Sequence, residues 1–99
     1  MHQYRSRKLN EEMVFAVLAN TTRRLILRHL LRDGALSVTT IAARIDYSPT
    51  ATSQHLAKLR DTLLVTRSRS GHQVFYSVDH PDAITLVKTI EAVFGDVGR

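Results

Sequence analysis

The sequence predicts a mainly α-helical fold with one β-hairpin, on three observations. Apolar residues recur at helical spacing along the chain as far as Leu63. The period then shortens over "LLVTRSRSGHQVFYSV", which is rich in Val, Phe and Tyr and has Ser-Gly in its middle. Helical spacing returns over 80–94.

The first helix is expected over 9–19, where Leu9, Met13, Val14, Val17 and Leu18 share a side. Asn20 offers an N-cap to a second helix, "TTRRLILRHLLRD", with Leu25, Ile26 and Leu30 inward, joined by Leu27 and Leu31. Gly34 closes it. A third, shorter helix over 38–46 has Val38, Ile41, Ala42 and Ile45 as its stripe. Asp46-Tyr47-Ser48 is a tight break. Ser48 is a good N-cap, and Pro49 suits the first helical position, where its missing N–H costs nothing. Thr52, Leu56, Leu59 and Leu63 are expected as the buried stripe of the fourth helix.

In the hairpin, Arg67, Arg69 and His72 gather at the tip around Ser70-Gly71. Val65, Val74, Phe75, Tyr76 and Val78 lie towards its base. The last helix carries Ile84, Val87, Ile90, Val93 and Phe94, with Asp79 as candidate cap and Pro81 near its first turn.

A chain of 99 residues is expected to form one small domain over 1–99. Its net charge of +5 points to a polyanionic partner, nucleic acid before membrane, against the plainer reading of a solvated basic surface. No apolar run approaches the ~18–20 residues that span a bilayer. The segment "MHQYRSRKLNEE" lacks the apolar core of a secretory signal, so a soluble, cytoplasmic protein is expected. With no cysteine, the chain has no disulfide, thiolate metal site or thiol redox sensor. No Ser/His/Asp set, carboxylate pair or Gly-rich phosphate loop is apparent, so neither enzyme activity nor a cofactor is expected.

The stretch "SPTATSQHLAKLR" carries the functional expectation. A helix that only fills a core has no use for a run of short hydroxyl and amide side chains. A helix that must approach base edges does. Two short helices joined by a tight break, the second opening on small polar residues, fit a helix-turn-helix. Thr50, Ala51, Ser53, Gln54 and Lys58 lie off the buried stripe. Gln54 can read adenine bidentately, Thr50 and Ser53 can donate or accept, and Ala51 suits a thymine methyl. His55 reads equally as a packed, hydrogen-bonded histidine or a base contact. Arg67, Arg69 and His72 would hold phosphates or enter a minor groove, as in a winged helix, or else keep an edge hairpin soluble. The partner expected is double-stranded DNA. A winged-helix module that binds protein and has lost DNA reading is the alternative.

The stretch from "VLANTTRRLILRHLL" to "HQVFYSV" resembles the ArsR-type winged-helix repressors over nearly the whole chain. The block "TSQHLAKLR" followed by "LVTRSRSGHQVFYSV" is the most specific part, with Thr21 standing where the family usually has proline. The recognition helix is most similar to that of the persulfide-sensing and virulence-regulating subgroup. The resemblance implies a homodimer through the first and last helices, binding an inverted-repeat operator, usually as a repressor released by an inducer. The apolar faces of 9–19 and 80–94 fit such an interface.

Sensing is where the sequence departs from that pattern, and it names no inducer. Ser37 and Thr39 stand where arsenic- and cadmium-type sensors place cysteines. Arg28 and Gly95 stand at the two cysteines of the persulfide-sensing subgroup. A third family site is half imitated by Asp79, His80 and Asp82, weak candidates for metal, while its second half aligns with Val93 and Asp96. His2 is an equally weak nickel candidate. Leu63 replaces the usual glycine between recognition helix and wing, so a longer helix or an altered wing angle is expected.

Overall fold

The computed structural model describes residues 8–95. The chain runs α1 (Glu11–Leu18), α2 (Thr21–Asp33), β1 (Leu36–Ser37), α3 (Val38–Ile45), α4 (Pro49–Asp61), β2 (Thr66–Ser70), β3 (Gln73–Ser77) and α5 (Pro81–Phe94). The predicted order of four helices, hairpin and final helix is found. β1 is an addition: two residues are too short for any period to reveal.

Short polar side chains start the helices. Asn10 accepts from Met13 N, Asn20 from Arg23 N, Ser37 from Thr40 N and Ser48 from Ala51 N, all at 3.0–3.2 Å. Only Ala19 and Asn20 separate α1 from α2. Two arginines of α2 reach back across that link. Arg23 Nε donates to Val17 O at 2.8 Å and Arg24 donates to Leu18 O, adding side-chain donors to the carbonyls at the end of α1.

The core lies among the helices. Ile26, Leu27 and Leu30 of α2, Ile41 of α3, and Leu56 and Leu59 of α4 are almost wholly buried, with Leu64 beside them. Val14, Val17 and Leu18 close one side, and Ala83, Val87 and Tyr76 another. Each large side chain contributes about 1.5–3 kcal/mol by its burial. α5 is also tied to α2 by charge. Arg28 Nε lies 3.1 Å from Glu91 Oε1, and Arg32 Nη2 lies 3.3 Å from Glu91 Oε2.

The strands form one antiparallel sheet in the order β1-β3-β2. Leu36 pairs with Tyr76 and Ser37 with Phe75, anchoring the hairpin base to the segment before α3. Beyond that, β2 and β3 continue as a two-stranded ribbon to Ser70 and Gln73. Gly71 and His72 make the turn. Gly71 has φ +63°, the conformation that a two-residue hairpin loop of type II′ requires at its first position.

Two expectations are corrected. Leu63 is not part of the α4 stripe, because the helix ends at Asp61. Leu63 instead takes φ +67°, with its N–H on Arg60 O and that of Leu64 on Leu59 O, both at 3.0 Å. That is the Schellman arrangement, in which the next residue folds back on the helix. Leu64, fully buried against the core, takes the place expected of Leu63. The cap of α5 is His80, not Asp79. The Asp79 carboxylate accepts from Ser77 Oγ at 2.9 Å, whereas His80 Nδ1 accepts from Asp82 N at 3.1 Å.

Candidate nucleic-acid interface

The break between α3 and α4 depends on Asp46. Its φ of +59° turns the chain out of α3, and Tyr47 N closes the end on Ala42 O at 3.1 Å. Ser48 starts α4 at once. Thr52, Leu56 and Leu59 are each 0% exposed, so the rotation of α4 about its axis is fixed by the core. At 100° per residue, Thr50, Gln54 and Ala57 then lie opposite that buried stripe.

All three are indeed exposed, and they line one shallow depression with Pro49 and Ser53. Lys58 is exposed beside them, while Ala51 is half-buried. Ser53 marks the flank towards the hairpin, where it shares a hollow with Val38, His72, Gln73 and Val74. Arg67, Arg69 and His72 are exposed on the ribbon and its turn. Directly opposed residues share a face, so Arg67 lies on the side of Tyr76 and Arg69 on that of Val74. Arg69 and His72 lie towards the turn as expected, whereas Arg67, expected at the tip, lies near the base of the ribbon, because it is opposite the same Tyr76 that pairs with Leu36.

His55 sits apart, on the flank of α4 that faces α2. It is half-buried, with Nδ1 3.3 Å from Arg23 Nη1 and its ring 5.9 Å from that of Tyr47. A guanidinium only donates, so Nδ1 accepts and the ring proton resides on Nε2. Burial, then Arg23 and Lys58, hold the imidazole pKa below its ordinary 6.5. Tyr47 OH in turn lies 3.0 Å from Thr22 Oγ1. Sequence reasoning singled out neither Thr22, Arg23 nor Tyr47 as part of a site. Thr22 and Tyr47 are 25 residues apart, and no spacing signal links them.

The weak metal candidates are not brought together. His80 is 2% exposed and its Nδ1 is engaged by Asp82 N, while Asp79 and Asp82 are exposed. Among the described residues no group of three or more His, Asp or Glu side chains is placed to hold a metal ion. His2 and Asp96 lie outside the described residues. Ser37, at one cysteine position of the arsenic- and cadmium-type sensors, is buried as the cap of α3. Arg28 is occupied with Glu91, and a Cβ on Gly95 would fall 2.3 Å from Glu91 O. Among the described residues no helix is long and apolar enough to cross a membrane.

Comparison with known proteins agrees with this geometry. A helix-turn-helix domain family matches residues 18–68, from the end of α1 into β2. The HTH-type transcriptional regulator KmtR of Mycobacterium tuberculosis is 40% identical over 81 residues, 82% of this chain and 60% of KmtR. The chain spans 66% of the length of a second curated relative. The structure of HlyU from Vibrio cholerae superposes with a TM-score of 0.81 at 30% identity, covering 87% of this chain and 92% of that one. A winged helix-turn-helix domain from Mycobacterium bovis, described as homodimeric and a possible ArsR-family regulator, gives 0.77 at 28% identity, covering 89% and 81%. With the helix-turn-helix matched by the family and two such structures superposing over 87% and 89% of the chain, this chain belongs to the ArsR-type family of winged-helix transcriptional regulators.

Proposed function

We infer that residues 1–99 act as one DNA-binding and dimerisation domain of a cytoplasmic repressor that recognises an inverted-repeat operator. One observation carries this reading: a helix buried to 0% along Thr52, Leu56 and Leu59 presents the polar Thr50 and Gln54 on its opposite side, with Ser53 on the adjoining flank. Such a face can approach base edges closely, while Lys58 and the wing cations Arg67 and Arg69 meet phosphates. Bound over a promoter, a small dimer represses by occupancy alone. Met13, Phe15, Val93 and Phe94 support the dimer, being large apolar side chains left exposed on α1 and α5. The Mycobacterium bovis domain, described as homodimeric, supports it too. The reading includes no catalytic step and no cofactor.

Fluorescence anisotropy with duplexes from the gene's own upstream region tests it, first in chelator and then with zinc or nickel added. Tight, salt-dependent binding in chelator that metal leaves unchanged is expected. Binding no tighter to any upstream or genomic fragment than to random DNA would overturn the operator reading.

A further inference from the structure

A recognition helix in the major groove lies between two phosphate strands. The groove is about 12 Å wide and a helix with its side chains about 10–12 Å across, so both flanks come close to backbone. On one flank of α4 stands the wing, beyond Ser53. On the other stand His55, Arg23, Tyr47 and Thr22. We propose that the Thr22–Tyr47 hydroxyl pair, backed by Arg23, His55 and Lys58, is a second phosphate-binding shoulder of the DNA interface, opposite the wing. This rests on the DNA-binding reading above and adds three residues to it.

The hydroxyl pair has the right donor count. Two O–H groups 3.0 Å apart use one proton between them and leave the other for an outside acceptor. A phosphate oxygen is such an acceptor. The pair is also held in place. Thr22 sits in the first turn of α2, and the Tyr47 ring lies against His55 with centroids 5.9 Å apart. Yet Tyr47 remains 45% exposed, far more than a ring serving only the core.

Charge favours the same ligand. Arg23 is fixed by Val17 O at 2.8 Å and His55 at 3.3 Å. Lys58 of α4 lines a hollow together with Arg23, Asp61 and residues of α1. Neither Arg23 nor Lys58 takes part in the ion pairs found among the described residues, which join Arg28 and Arg32 to Glu91 and Arg44 to Asp33. Two cations thus stand on the side of the helix that the wing does not reach, and Arg23 is connected to the hydroxyl pair through His55.

The test measures binding of the full chain to its operator duplex and to a scrambled duplex. Tyr47→Phe keeps the ring and removes the donor. It is expected to weaken binding to both duplexes about five- to tenfold, with discrimination between them and thermal melting unchanged. A purely structural staple would behave differently towards single phosphates. Neutral methylphosphonates placed one at a time along the strand remote from the wing should weaken the wild type at one site and leave Tyr47→Phe insensitive there. Thr22→Val should reproduce the same insensitivity in part. If the wild type binds and both variants match it, the shoulder is overturned. It is equally overturned if Tyr47→Phe binds more weakly yet responds to every methylphosphonate as the wild type does. A wild type that binds no DNA would overturn the functional reading itself, a distinct result.

Discussion

Arg23 Nη1 lies 3.3 Å from His55 Nδ1, joining α2 to the recognition helix through a bond that survives only while the imidazole is neutral. Burial, Arg23 and Lys58 all disfavour the imidazolium, and no carboxylate offsets them in the shift. His29 is held low in the same direction, by burial first and then by Arg44 and Arg32, with Asp33 opposing. A histidine whose native pKa lies below its unfolded value binds its proton more readily when the chain unfolds. Stability is therefore complete above about pH 6.5 and falls as pH drops from there towards the lowered native values. Urea unfolding between pH 7.5 and 5 should show this decline, and His29→Gln with His55→Gln should flatten it. An equal slope in the double variant would place the proton uptake elsewhere.

The helices were legible because their stripes are long. Ile26, Leu30, Ile41, Leu56 and Leu59, expected inward from spacing alone, are buried. The caps at Asn20 and Ser48 were legible because their chemistry is local. What escaped depends on distant partners or on a single backbone angle. β1 exists through its pairing with β3 rather than through any pattern of its own. The turn at Leu63 depends on a left-handed residue that is not glycine. His80 caps α5 with an imidazole nitrogen, an acceptor that cap preferences rank below the carboxylate beside it. The outward face of α4 was readable in its own thirteen residues, whereas the cluster on its flank draws on α2 and the turn.

Leu63 should be a point where the protein gains stability by substitution. Holding a non-glycine residue in the left-handed region costs about 1–2 kcal/mol, because its Cβ crowds the following carbonyl. Glycine removes that strain and brings back part of the cost as chain entropy, about 0.5–1 kcal/mol. Leu63→Gly should therefore stabilise the fold by about 0.5–1 kcal/mol in denaturant unfolding, since Leu63 itself is only half-buried. A lower stability would mean that its side-chain contacts outweigh the strain.

Gln54 and Arg69 should separate reading from holding. Gln54 lies on the exposed face of α4, and Arg69 lies on the ribbon opposite Val74. Gln54→Ala should cost about 1–3 kcal/mol on the operator and relax preference at one base pair. Arg69→Ala should weaken binding to every sequence and lower the salt slope by about one. Anisotropy titrations on a set of single-base operator variants at two salt concentrations would distinguish these. Undiminished discrimination in Gln54→Ala would remove it from the reading face.

The exposed rings of α1 and α5 should report on assembly. Phe15 is 62% exposed and Phe94 60%, areas that a small chain leaves open only at some cost in solubility. If a second copy covers them, the folded state gains stability by mass action, and the thermal midpoint rises with protein concentration. Phe15→Asp or Phe94→Asp places a charge in that interface and should yield a monomer by sedimentation equilibrium. The fold should persist, because neither ring belongs to the buried core. Operator binding should then fall by roughly 100-fold or more, since two half-sites no longer engage together. Binding to an isolated half-site should be unchanged, because α4 and the wing are untouched. A variant that remains dimeric would show that the two copies meet through some other face.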